Sequence, residues 1–308
     1  MIVITGAAGG VAGRLRLDGD VRRTDLAART DLAARTDLAA RTDLAARDGS
    51  AARARDVSAA QARERGTGRD GSAAKAQDGS AAQARDGSAA GDGSAAQGGI
   101  VTGDLADAGF AREVIAGADA VVHLAGNADP NTPWAGLRVS NADVVANVLD
   151  AAVAHGVRRV VLASSLHAMA GHVDAGRTFV PEDLPPYACC PYGAGKVLGE
   201  QLARCYADVW GLSTVCLRLG GVAERPLAAS WRGGWLSPGD LNRLVAAALA
   251  VDVGFGVYHG VSANTPRVYG CTLPGYAPVD DSATFSNLPD DLTPPPQDRP
   301  RWGIAHRS

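Results

Sequence analysis

The chain has 308 residues, of which 46% are hydrophobic and 20% charged, with a formal charge of −3. That length suffices for a sizeable buried core, and the near-neutral balance excludes the basic footprint of a nucleic-acid binder. No apolar run approaches the roughly 18 residues of a membrane span, and MIVITGAAGG lacks the basic start of a signal peptide, so no membrane partner is expected and the reading is cytoplasmic.

Residues 2–4 form a short apolar run that ends in Thr5, Gly6, Gly9, Gly10 and Gly13, followed by Val11, Leu15 and Leu17. This pattern predicts strand, glycine turn and helix, the helix covering about 11–17. A second strand is expected around Val21, closing at Asp25. From there TDLAAR occurs four times between Thr24 and Arg47, and DGSAA units follow at Asp48, Asp70, Asp78, Asp86 and Asp92. A six-residue period turns successive leucines by about 120° on a helix, so they form no single apolar stripe. Residues 27–98 are therefore read as a low-complexity insertion, a solvated helix or a disordered stretch, with little to bury.

Regular structure is expected to resume at Ile100. Strands are predicted over 100–102, 120–124, 159–163 and 213–219, and helices over 108–116, 139–155, 192–210 and 241–251. Apolar strands alternating with helices predict an α/β fold, a doubly wound parallel Rossmann sheet that binds its ligand at the carboxyl ends of the strands. The organisation read from this pattern is a cofactor-binding domain over 1–220, interrupted by the insertion, then a small substrate-binding region over 221–308. Beyond Leu219 the chain is read as irregular apart from the last helix, with a Pro-rich tail from Pro289.

The chemistry follows from a few positions. A dinucleotide pyrophosphate needs a tight turn, close backbone approach and a helix N-terminus, and Gly6, Gly9 and Gly10 answer that need. Asp25 lies where a carboxylate can take ribose hydroxyls, which favours NAD over NADP, although Arg22 and Arg23 stand beside it. Tyr192 and Lys196 are four residues apart and share a helix face. The chain has only two lysines, Lys75 and Lys196, which makes the spacing more telling. A phenol of ordinary pKa near 10 must drop by about three units to act as a base near neutrality, worth about 4 kcal/mol, and an ammonium and an oxidised nicotinamide can supply this. Ser165 ends a strand, where its hydroxyl can hold the substrate oxygen, and His167 follows it. A Ser165/His167 hydrolase is disfavoured because no G-x-S-x-G elbow surrounds the serine. His123, within a strand, reads as a core residue. The five cysteines are odd in number and show no paired zinc spacing, so no metal is expected.

TGAAGGVAG at Thr5, GDLAD at Gly103, AVVHLAG at Ala120, ASS at Ala163, YGAGK at Tyr192 and LRLGGV at Leu217 together resemble the extended short-chain dehydrogenases/reductases, the NAD-dependent epimerase/dehydratase family. SSLHAMAGH, WRGGWLSPGD and VYHGVSAN are similar to the uronate dehydrogenase branch. The resemblance implies Asn141, Ser165, Tyr192 and Lys196 as the catalytic group, with Lys196 also on the nicotinamide ribose. It places Asp104 and Leu105 around the adenine and Ala125 and Gly126 near the cofactor. His167 and Arg232 would contact substrate, Arg232 through a sugar carboxylate. The function implied is oxidation of a sugar or sugar acid, a uronate to an aldarolactone, with NAD. A nucleotide-sugar epimerase/dehydratase and a non-catalytic NAD(P)-binding sensor are the competing readings, and the oligomeric state, a homo-oligomer included, is left open.

Overall fold

A computed structural model describes residues 1–6, 10–17, 19–25 and 100–289, with the side chains of 24, 25 and 100 left out. The repeat insertion, the Pro-rich tail beyond Pro289 and Gly9 lie outside these residues.

Seven strands form one sheet: β1 (Ile2–Thr5), β2 (Val21–Asp25), β3 (Ile100–Thr102), β4 (Ala120–His123), β5 (Arg159–Ser165), β6 (Ser213–Leu219) and, numbered in chain order after two short strands, β9 (Phe255–Gly260). Gly221–Val222 (β7) and Trp235–Leu236 (β8) pair separately. The large sheet runs in the order β3-β2-β1-β4-β5-β6-β9, and every pairing in it is parallel. All carboxyl ends therefore fall on one edge, and chain order reverses between β1 and β4, which is where a doubly wound sheet opens its crevice.

Alternation along the strands builds two cores. Val3, Val121 and Val160 face one layer with helices α1 (Ala108–Ile115) and α2 (Val144–Ala154), while Ile4, Val122 and Val161 face the other with Leu241, Leu244 and Val245. Strands covered on both faces must be apolar at consecutive positions, which explains runs such as AVV at Ala120. Helix α3 (Pro191–Trp210) lies on the first face, and α4 (Pro238–Ala250) on the second. Proline at the first position of each helix leaves no stranded N–H, and Ser237 Oγ accepts from Asp240 N at 2.9 Å.

Two expectations are corrected. The helix expected over 11–17 is a single 3₁₀ turn, Ala12–Arg14, because Leu15, buried like Ala12, is already extended. The region after Leu219 is not irregular, since β9 adds to β6 with Thr214 opposite Phe255 and Leu219 opposite Gly260. The described residues on both sides of position 220 belong to one compact unit. Among the described residues no helix is long and apolar enough to cross a membrane.

Candidate functional site

β1 and β4 end level, Thr5 opposite His123, and the chain turns at Gly6 with φ +75°. A Cβ there would fall 2.7 Å from Ala125 N, so only glycine lets the first turn close against the segment that follows β4. Gly10 is exposed and its carbonyl accepts from Arg14. Asp25 ends β2 opposite Thr102, which sets its backbone at the carboxyl edge. Asp104 Oδ1 accepts from Ala106 N at 2.9 Å, and the Leu105 carbonyl accepts from Asn147 Nδ2 at 2.9 Å. These contacts fix the turn after β3 that leads into α1, where Asp107 caps the first N–H groups.

β5 runs on past β4. Leu162 is opposite His123, so Ala163, Ser164 and Ser165 project beyond the end of the neighbouring strand. The chain then makes a short turn, Leu166–Ala168, held by His167 N donating to Ser165 Oγ at 3.2 Å. α3 packs on this projection at close range because Gly193 has no side chain: a Cβ there would sit 2.3 Å from the His167 carbonyl oxygen. Tyr192, one residue earlier, is thereby pressed against the turn that follows Ser165. The His167 and Tyr192 rings meet edge to face with centroids 5.4 Å apart.

One helical turn on, Lys196 Nζ donates to the Ala163 carbonyl at 3.0 Å and lies 5.7 Å from the Tyr192 ring centre. Burial pushes Lys196 down to about 8, partly opposed by Glu200, so the amine stays largely charged at neutrality. Tyr192 is raised by burial, with Ser165 lowering it and the nearby Cys190 raising it. The polypeptide alone therefore holds the phenol protonated.

Asn141 is 1% exposed on a π-helical turn, Val139–Asp143, between the helical turn Trp134–Arg138 and α2. Such wide turns re-aim a side chain out of an otherwise regular helix. Its Oδ1 accepts from Asn127 N at 2.9 Å and its Nδ2 donates to Asn127 O at 2.8 Å, so the amide clamps the loop after β4. Gly126, in the same loop, has Asn141 Oδ1 2.6 Å and Lys196 Nζ 3.5 Å from where a Cβ would stand. Asn141, Ser165, Tyr192, Lys196, Ala125 and Gly126 thus converge at the ends of β4 and β5.

The NAD dependent epimerase/dehydratase family matches residues 60–223, just over half of the chain. The chain belongs to that family. Similar relatives include an NAD-dependent glucose-6-phosphate dehydrogenase of Haloferax volcanii, 30% identical over 61% of this chain and 78% of the relative. A uronate dehydrogenase of Agrobacterium fabrum is 32% identical over 63% of this chain and 73% of the relative. The crystal structure of a uronate dehydrogenase from Agrobacterium tumefaciens shares the fold with a TM-score of 0.66 at 24% identity, covering 96% of this chain and 91% of that one. NAD is the cofactor of this family, and the residues here suit it. The tight Gly6 turn lies at the crevice, and Lys196 donates one of its three protons to the Ala163 carbonyl, leaving donors for ribose hydroxyls.

The family member's site is braced by groups that no motif announced. Ser164 Oγ donates to Glu200 Oε1 at 2.5 Å, and Arg218 reaches the same carboxylate through Nε at 2.9 Å and Nη2 at 2.8 Å. This pair is 1% and 4% exposed. Glu200 lies four residues after Lys196 on the same face of α3, which was the one available sequence signal. His123 is 1% exposed, with Nδ1 2.6 Å from Thr5 Oγ1, and burial then Lys196 push it down to about 3, in keeping with a core histidine. Arg232 lies apart from the Tyr192 cluster in chain position and contacts: Nη1 donates to Ser282 O and Nη2 to Phe285 O, both at 2.7 Å. Leu166, at the turn, is packed with Met169, Val180 and Tyr269.

Proposed function

We propose that the chain is an NAD-dependent dehydrogenase that oxidises a sugar or sugar acid at a carbinol carbon, a uronate to its aldarolactone. The observation that carries this reading is the buried Tyr192 packed against the turn after Ser165, with the Lys196 ammonium 5.7 Å from its ring centre. In this reading Ser165 holds the substrate hydroxyl, and Tyr192 takes its proton as the carbinol C–H leaves as hydride. Lys196 adds charge beneath the phenol and holds the nicotinamide ribose. NAD, when bound, supplies the hydride acceptor and a positive ring that lowers the Tyr192 pKa. Asn141 is a positioning residue, since its amide is committed to Asn127. Gly6, Gly9 and Gly10 with Ala125 and Gly126 shape the cofactor crevice, Asp25 takes the adenosine ribose, and Asp104 and Leu105 border the adenine.

Glucose 6-phosphate and a uronate both carry an anion at the far end from the anomeric carbon, so the substrate class of both relatives calls for a cation. Arg232 is proposed for that role through the N–H groups that Ser282 and Phe285 leave unused. His167, edge-on to Tyr192, is proposed to contact a substrate hydroxyl.

The test is product analysis with NAD and a panel of uronates, neutral aldoses, sugar phosphates and nucleotide sugars. Stoichiometric NADH and a lactone from a uronate are expected. A C4-epimerised nucleotide sugar without net NADH would replace this reading by an epimerase, and no product from any sugar would leave a cofactor-binding protein without turnover.

A further inference from the structure

Beside the Tyr192 cluster the fold gathers three soft ligands that the proposed reaction does not use together. His167 Nδ1 is 3.3 Å from Cys189 Sγ and 3.3 Å from Cys190 Sγ, and the two sulfurs are 3.7 Å apart. On a single tetrahedral zinc, two thiolates stand about 3.8 Å apart and a thiolate and an imidazole nitrogen about 3.6 Å, from bond lengths of about 2.3 and 2.0 to 2.1 Å. The three observed edges are each within about 0.3 Å of that triangle. Adjacent cysteines give no zinc signature in sequence, and the histidine is 22 residues away, so only the fold brings this donor set together.

The frame around the donors is rigid. Cys189 N donates to the His167 carbonyl at 3.2 Å, so the two ligands are joined by main chain as well as side chain. Cys190 caps α3, with Sγ accepting from Gly193 N at 3.4 Å. That N–H, the imidazole and the Cys189 thiol, which donates to Cys190, hold the Cys190 thiol well below its ordinary range. His167 and Cys189 are half-buried, which leaves one side of the triangle accessible.

We propose that His167, Cys189 and Cys190 form a three-ligand site for zinc, with a fourth position open, and that its occupancy slows turnover. Zinc takes both sulfurs as thiolates, so binding expels the protons they hold and leaves a neutral metal–dithiolate unit. Two of the ligands bear on the base: His167 packs on the Tyr192 ring, and Cys190 sits two residues before Tyr192 at the start of its helix. Fixing both on a metal withdraws His167 from substrate and locks the phenol against the Ser165 turn. The binding part stands on the donor geometry alone, and the inhibition part rests on the dehydrogenase reading above.

The test titrates the full-length chain with Co²⁺ and then Zn²⁺ under reducing, non-chelating conditions. One equivalent of Co²⁺ should bind with a thiolate-to-metal charge-transfer band and the intense visible bands of a tetrahedral site, and Zn²⁺ should displace it. Cys189→Ala should weaken binding at least about 100-fold, the upper end of what loss of even an outer-shell partner costs, and should leave activity without zinc unchanged. Cys205→Ala, which removes an exposed thiol outside the cluster, should bind as the parent does. Absence of the thiolate band, or equal binding by Cys189→Ala, would overturn the site. One equivalent of zinc should lower the parent's turnover several-fold and spare Cys189→Ala; unchanged turnover in a parent shown spectroscopically to be loaded would overturn the inhibition. A parent that binds cobalt as described but oxidises no sugar would instead count against the dehydrogenase reading and leave the metal site standing.

Discussion

At the β1–β3 end of the crevice the described contacts are largely main chain: Gly6 against Ala125, the parallel register from Thr5 to Thr24, and the Asp104 turn that leads into α1. At the β5–β6 end they are buried side chains with charge, namely Ser165 with Tyr192, Lys196 on Ala163, and Ser164, Glu200 and Arg218 beneath them. A nucleotide is recognised by shape and N–H groups, which backbone supplies from small residues, whereas moving a proton requires ionisable groups held away from water. The two ends should therefore fail differently: substitutions at the first end alter cofactor binding through backbone fit, and those at the second alter rate and stability through uncompensated charge.

The largest effect is expected at Tyr192. Tyr192→Phe removes the proposed proton acceptor and almost no volume, so turnover should fall by about 10²- to 10⁴-fold while NADH binding, followed by fluorescence, stays within a few-fold. Retention of more than about a tenth of the parent rate would remove Tyr192 as the base. Next comes Glu200→Gln, which leaves the buried Arg218 guanidinium without its countercharge. A loss of about 3 to 5 kcal/mol in denaturant unfolding is expected. An effect below about 1 kcal/mol would show that this end does not depend on buried charge.

Acid should weaken the fold through two buried histidines. Burial pushes His123 down to about 3, and burial then Arg218 push His259 down to about 4, against an ordinary value of 6.5. The unfolded chain thus binds protons below about pH 6.5 that the folded chain refuses, and stability falls as pH drops from there toward 4. Each histidine contributes about 1.4 kcal/mol per pH unit in that window, or roughly 2 kcal/mol at pH 5. Glu182, raised by burial, acts in the opposite sense. Urea midpoints at pH 7 and pH 5 measure the sum, and His123→Gln should flatten the slope. Equal slopes in the two proteins would mean that His123 is protonated in the fold.

The smallest effect sharpens the substrate side. Arg232→Ala should raise KM for a uronate about ten-fold more than for the matching neutral sugar, the effect of one charged contact worth about 1.4 kcal/mol. Equal changes for both sugars would assign Arg232 only to the Ser282–Thr284 turn whose carbonyls it already holds.

Much of this architecture was legible from the sequence. Continuous apolar runs can be buried only between two helical layers, so β1, β4, β5 and β6 and the parallel sheet followed from local pattern. Tyr192 and Lys196 were legible because a helix places residues four apart on one face whatever surrounds it. β9 was not, since Phe255–Gly260 is weakly patterned, with glycine inside it at Gly256 and at its end at Gly260, and becomes a strand by pairing with β6. The shortened first helix was missed because helical spacing at Leu15 and Leu17 does not reveal that the chain must leave the turn early to enter β2. The sequence by itself determined the fold class and the Tyr192–Lys196 pair, both set by periodicities of a few residues. The clamp of Asn141 on Asn127, the Glu200–Arg218 brace and the His167–Cys189–Cys190 cluster were decided by tertiary structure alone, because hydrogen bonds and ligand triangles depend on distances between segments that are remote along the chain.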